Sequence, residues 1–240
     1  MSEMAHQHKN SLARDRQLLK ANNYHPNLEA ITLVKHDPWV GPTFQGSDEK
    51  IAILGYSHYL GDGQDHEGMT TELLASLVDS SHEEHSENKN TPFFKKISGL
   101  FGNTNSASFW KSVIFLNLIP EAVGGPDKKY DGGPHELAVS GSSRLFDVLA
   151  QHKVEKLFVF SAKAWESLPD TVLEMDVPLG VKNPHSFNAF VKAPSTVAFH
   201  LRHPQFATST QLAKLGEAVE LAMKQSPSEF HAAIERAKQS

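Results

Sequence analysis

Cysteine is absent from the 240 residues. That absence removes structural disulfides, thiolate nucleophiles, cysteine-ligated zinc and iron–sulfur clusters together, because each requires the sulfur. It fits a cytoplasmic protein. Long apolar runs are also lacking. None approaches the roughly 18–20 residues that a membrane-crossing helix needs, and residues 1–20 carry His, Arg and Asp without an apolar signal core. The chain therefore reads as soluble and not exported by that route. A surplus of positive charge is missing as well. With 23 Lys plus Arg against 28 Asp plus Glu the formal net charge is −5, which speaks against a broadly cationic nucleic-acid coat but leaves local phosphate-binding patches open.

What is present is enough apolar content, 39% of the chain, for one sizeable core. The 14 histidines make the net charge sensitive between about pH 5 and 7, and the bland reading of most of them is solvated surface. A short helical pattern at 11–21 ends at Asn22-Asn23-Tyr24-His25-Pro26 and reads as an accessory helix. Residues 1–37 are thus an accessory helix and linker, 38–225 the main domain, and 226–240 a helical tail. Residues 80–90 are polar and low in apolar content, and read as a mobile loop.

Four compact apolar runs, at 50–54, 113–118, 157–160 and 197–201, predict strands covered on both faces. Amphipathic segments at 70–78, 92–100, 135–152, 162–168 and 210–224 supply the covers. The alternation predicts an α/β fold: a three-layer α/β/α sandwich around a central, mainly parallel four-stranded sheet. In such sheets chemistry collects beyond the carboxyl ends of the strands. The four exits carry Gly55-Tyr56-Ser57-His58-Tyr59, Asn117-Leu118-Ile119-Pro120, Ser161-Ala162-Lys163-Ala164-Trp165 and Arg202-His203-Pro204-Gln205-Phe206.

Taken in order, these exits resemble the motifs of the uracil-DNA glycosylase-like superfamily, over residues 38–225. Ile53-Leu54-Gly55-Tyr56-Ser57-His58-Tyr59 is similar to its motif after the first core strand. Val113 to Pro120, with Asn117, is similar to the apolar strand ending in Asn, and His200-Leu201-Arg202-His203-Pro204 to the C-terminal His-Pro motif. The resemblance implies hydrolysis, without a cofactor or metal, of the N-glycosidic bond of a base rotated out of DNA, by a monomer. Asn117 would bind the base edge and His203 would face the base carbonyl, stabilising the charge that develops there. Lys163 and Arg202 are candidate phosphate contacts, alongside Lys111, Lys128 and Lys129. Gln205 and Phe206 stand where the family places the wedge that fills the gap in the duplex.

The first motif departs from the family. Ser57 stands where the best-studied branch has a water-positioning carboxylate, and His58 where proline usually follows. Asp62, Asp65 and Glu67 are nearby carboxylates, of which Asp65 is favoured, and His58 is a second candidate for handling water. Tyr56, Tyr59 and Phe94, with Phe93 and Phe101, are candidates for the pocket wall or for stacking on a base. This divergence points away from uracil, to another damaged pyrimidine or an enlarged modified base of the phage type. Two other readings compete: a metallohydrolase using His58, Asp62, Asp65 and His66 as ligands, and a relative that binds DNA without catalysis.

Overall fold

The computed structural model describes residues 36–59, 65–79, 91–123, 135–168, 174–177, 185–189, 193, 195–205, 207–229, 232 and 236. The helix expected at 11–21, the polar stretch at 80–90, Asp62, Lys128, Lys129 and Phe206 lie outside the described residues. All described residues belong to one compact unit, 34–240. It begins before the expected boundary at 38 because His36 is built into it, its backbone N–H donating to the Pro120 carbonyl at 2.8 Å.

The elements in chain order are β1 (Trp39–Val40), β2 (Ile51–Gly55), α1 (Met69–Val78), α2 (Thr91–Leu100), α3 (Ser106–Ser112), β3 (Ile114–Asn117) and α4 (His135–Gln151). They continue with β4 (Lys156–Val159), α5 (Ala162–Glu166), β5 (Glu174–Val177), β6 (His185–Ala189), β7 (Val197–His200) and α6 (Ser209–Met223). The strands form one sheet in the order β1-β3-β2-β4-β7-β6-β5. The four expected strands are its parallel centre, β3-β2-β4-β7. The expected four-stranded sheet is too narrow by three strands, each added through an antiparallel pairing: β1 on β3 at one edge, and β6 on β7 then β5 on β6 at the other. The parallel centre with helical crossovers makes this an α/β protein.

Alternation along the central strands divides the apolar residues between two cores. Ile51, Ile53, Phe115, Phe158 and Phe199 pack against α1, α2, α3 and α6 through Leu74, Phe94, Ile97, Trp110, Leu215 and Val219. Ala52, Leu54, Ile114, Leu116, Leu157 and Val159 face the other way, onto α4 and α5 through Leu145, Phe146, Leu149 and Ala164. Burying each large apolar side chain contributes about 1.5–3 kcal/mol. Both faces being covered explains why these strands read as continuous apolar runs. Local signals start the helices: the Ser161 hydroxyl accepts from Ala164 N–H at 3.2 Å at α5, and Thr208 and Gln211 form a reciprocal capping box at α6.

At the amino edge of the sheet Lys156 is buried at the start of β4, where its ammonium donates to Glu49 at 2.7 Å and to the Met223 carbonyl at 2.6 Å. The carboxyl edge, at the far end of the same strands, is where the four motif-bearing loops leave the sheet. No helix among the described residues is long and apolar enough to cross a membrane.

Candidate functional site

The exits of β2 and β3 are joined beyond the last strand pair. Gly55 and Asn117 are register partners, and the ladder continues as Leu118 N–H to Gly55 O (3.0 Å) and Ile119 N–H to Tyr56 O (2.8 Å). The Asn117 side chain lies across Gly55, so closely that a Cβ at 55 would collide with Asn117 Oδ1. Glycine at 55 therefore leaves the space in which the asparagine side chain lies, and a Cβ would push that side chain aside. Asn117 is only 4% exposed, yet its side-chain amide makes no hydrogen bond among the described residues. Its Oδ1 and Nδ2 are not among the polar atoms sealed from solvent without a partner, so the amide of this mostly buried residue stays open to water or a ligand.

Its main chain is fixed from behind. Arg144 of α4 donates from Nη2 to the Asn117 carbonyl at 2.7 Å and from Nη1 to the His36 carbonyl. Three positions earlier on the same helix, Gly141 sits against the Leu118 carbonyl with no room for a Cβ. A glycine and an arginine one turn apart thus seat α4 on the exit of β3. Burial lowers the Arg144 guanidinium pKa, with Asp37 acting in the opposite direction.

On the β7 side, His203 is half-buried and its ring stacks on Phe93 of α2, centroids 4.8 Å apart and planes 20° from parallel. Gln205 N–H donates to its Nδ1 at 3.2 Å, which leaves Nε2 as the nitrogen that carries the proton in the neutral ring. Burial, and secondarily the charge of Lys96, hold its pKa below the ordinary histidine value. Asn117 ends β3 and His203 follows β7, so the two stand on the same edge three strand spacings apart, about 14 Å at the main chain. The exits of β2 and β4 lie between them. There Lys163 Nζ sits 5.7 Å from the centroid of the half-buried Tyr56 ring, and Trp165 stacks on His200 at 5.0 Å. Tyr59, Arg202 and Gln205 are exposed, and Lys111 is half-buried on α3.

Ser57 is half-buried, and its hydroxyl makes no hydrogen bond among the described residues. The two groups nominated beside it to handle water are engaged with the protein. Asp65 Oδ1 accepts from His36 Nε2 at 2.6 Å and Oδ2 from Ala122 N–H at 3.2 Å. His58 is buried, its Nε2 2.7 Å from Thr70 Oγ1 and its ring edge-on to His36 at 5.0 Å. Together these residues brace the loops after β2 and β3 from within. Phe94, expected on the base-binding wall, is instead core: it is 2% exposed and edge-on to Phe93, Trp110 and Phe115. Phe101 likewise packs on Phe109 and Phe158.

Of the loop ligands expected for a divalent ion, the three described ones, His58, Asp65 and His66, turn to different partners. His58 faces Thr70, Asp65 faces His36, and His66 Nε2 meets Glu72 at 2.9 Å. No cluster of three potential ligands exists among the described residues.

His36, Arg144 and Lys96 had not been singled out from the sequence. Arg144 carries the clearer signal, because it borders the apolar stripe formed by Ala138, Leu145, Val148 and Leu149, one turn before Val148. His36 has no such pattern around it.

Burial of His58, then repulsion from His36 and His66 outweighing attraction to Asp65, drops its pKa from 6.5 to about 4. Between those values the unfolded chain takes up a proton that the folded chain refuses, so stability is complete above 6.5 and is lost as pH falls towards 4. The stability advantage of the wild type over His58→Gln is expected to shrink by about 2 kcal/mol from pH 7 to pH 5. Urea unfolding at the two pH values measures it; an unchanged difference would mean that His58 titrates normally in the fold.

The class that fold and site define is an α/β protein with its polar residues gathered at the carboxyl edge of a parallel sheet. Compared with known proteins, the chain matches no family model and no curated protein.

Proposed function

We propose that the protein is a monofunctional DNA glycosylase of the uracil-DNA glycosylase-like type, acting as a cytoplasmic monomer without a cofactor on an everted damaged or modified base. The observation that carries this reading is the presence, on one edge of the parallel strands, of an amide at Asn117 with no protein partner among the described residues and an imidazole at His203 that presents Nε2–H. In this reading Asn117 takes the edge of the base through its acceptor and donor, and His203 donates to the base carbonyl. The bond from the base nitrogen to C1′ breaks with its electron pair leaving on the base, positive charge grows on the sugar, and water adds at C1′ and loses a proton. Donors aimed at the departing base act where charge develops, so they lower the barrier more than they tighten substrate binding.

With Asp65 and His58 engaged elsewhere, orientation of the water falls to Ser57. A hydroxyl is a poor base, but water that captures a sugar already carrying positive charge needs placement more than prior deprotonation. Tyr56 with Lys163 across its ring, and the exposed Arg202, supply an aromatic face and cations for the nucleotide and its phosphates.

The absence of a carboxylate at Ser57 favours a second reading, a DNA-binding relative that has lost catalysis. One experiment separates the two. Genomic and phage DNA are incubated with the protein and released free bases are identified by mass spectrometry. A base released by the wild type supports the first reading, whereas tight, salt-sensitive DNA binding with no free base favours the second.

A further inference from the structure

The loop after β7 leaves the sheet at Leu201, whose N–H makes the last ladder bond to the Val159 carbonyl at 3.0 Å. Beyond it, two rotations of the His203 side chain remain to be fixed. Stacking on Phe93 sets the plane of the ring but not its face, because a half-turn about Cβ–Cγ exchanges Nδ1 with Cδ2 and Nε2 with Cε1 and leaves the stack unchanged. The face is chosen by Gln205 N–H, which donates to Nδ1. That N–H belongs to the same planar peptide as the Pro204 carbonyl, which accepts from Lys96 Nζ at 3.3 Å and from Ala207 N–H at 3.2 Å, while Lys96 Nζ also donates to the Gln205 carbonyl at 2.8 Å. Since a trans peptide points its carbonyl and N–H in opposite directions, holding the oxygen aims the hydrogen. Phe93 and Lys96 are three residues apart, hence neighbours on one face of α2, and α2 is anchored in the core by Phe94, Ile97 and Leu100.

We propose that Phe93 and Lys96 are positioning residues, which together clamp the His203 imidazole in the one orientation that keeps Nδ1 as acceptor and leaves Nε2–H to donate to the ligand. The proposal deepens the glycosylase reading and rests on it for the identity of that ligand, an everted base. The ammonium of Lys96 has a second effect, since a positive charge beside the ring disfavours the imidazolium, in the same direction as burial. An imidazolium would carry a proton on Nδ1 and lose the bond from Gln205.

Nitrogen-15 NMR of the full-length protein labelled in histidine tests the clamp directly, with His203→Gln identifying the resonances. In the wild type His203 is expected as the Nε2–H tautomer, titrating below the ordinary histidine range. In Lys96→Met its titration moves up and the tautomers mix; Lys96→Arg, which keeps both the donor and the charge, restores the wild-type spectrum. In Phe93→Leu the tautomers mix while the charge effect remains. On a released-base substrate, either clamp variant lowers kcat by roughly tenfold to a hundredfold with KM little changed, and Lys96→Met also moves the acid limb of the rate profile to higher pH. An unchanged tautomer and titration in folded Lys96→Met overturns the proposal. The expected NMR changes in a protein that releases no base from any DNA would uphold the clamp and sink the glycosylase reading instead.

Discussion

Asn117→Ala and His203→Ala are each expected to slow base release by about a hundredfold to a thousandfold, the loss typical of removing one donor from a developing anion. The two should differ in where the loss appears. His203 acts on charge that exists only as the bond to C1′ breaks, so its removal lowers kcat with little change in KM. Asn117 holds the base edge before and during that step, so both constants change. If both act on one base, the double variant loses less than the product of the single losses. Stability separates these effects from unfolding. Asn117 has an amide with no partner within the described residues, so truncating it leaves no other group unpaired, while His203 gives up a ring stack worth about 1 kcal/mol. Single-turnover rates with urea unfolding of the same variants measure both quantities. Rates within threefold of the wild type would remove the two residues from the site.

The central strands were legible because burial on both faces writes them as unbroken apolar runs, as in Ile51 to Gly55 and Val197 to His200. The added strands were not. β1 is two residues between Pro38 and Gly41, too short for any period, and β5 reads Glu-Met-Asp-Val, an alternation that four residues barely carry. Neighbouring Phe93 and Phe94 show how one helical step divides two roles. Ile97 and Phe101, three and seven residues beyond Phe94, mark the buried face and assign Phe94 to the core, leaving Phe93 to turn towards His203. The candidate site was legible to the extent that it depends on strand ends, since Asn117 and His203 follow from the parallel order alone. What holds them was not legible. The Asp65–His36 and Lys96–loop contacts join residues 29 and 108 or more positions apart, and no local pattern encodes such pairs. Asp65 illustrates this: the sequence offers it as a carboxylate for handling water, and only the fold pairs it with His36 and the Ala122 N–H.

Gly141→Ala should cost about 3 kcal/mol or more, although alanine is intrinsically the better helix former at that position. A Cβ there would enter the Leu118 carbonyl, and a backbone oxygen in a buried turn cannot swing aside as a side chain can. The helix must instead withdraw from the exit of β3, and Arg144, one turn along, withdraws with it. The Asn117 carbonyl then loses its donor, so the substitution is expected to damage base binding as well as stability, even though Gly141 lies behind the site. Gly216, inside α6, supplies the comparison. A Cβ at that position meets nothing within 4 Å, and Gly216→Ala should stabilise the protein by about 0.5–1 kcal/mol through helix propensity alone. Urea or thermal unfolding of the two variants reads the difference, and opposite signs are the expected result. A Gly141→Ala protein as stable as the wild type would show that α4 does not rest on Leu118 and does not support the position of Asn117.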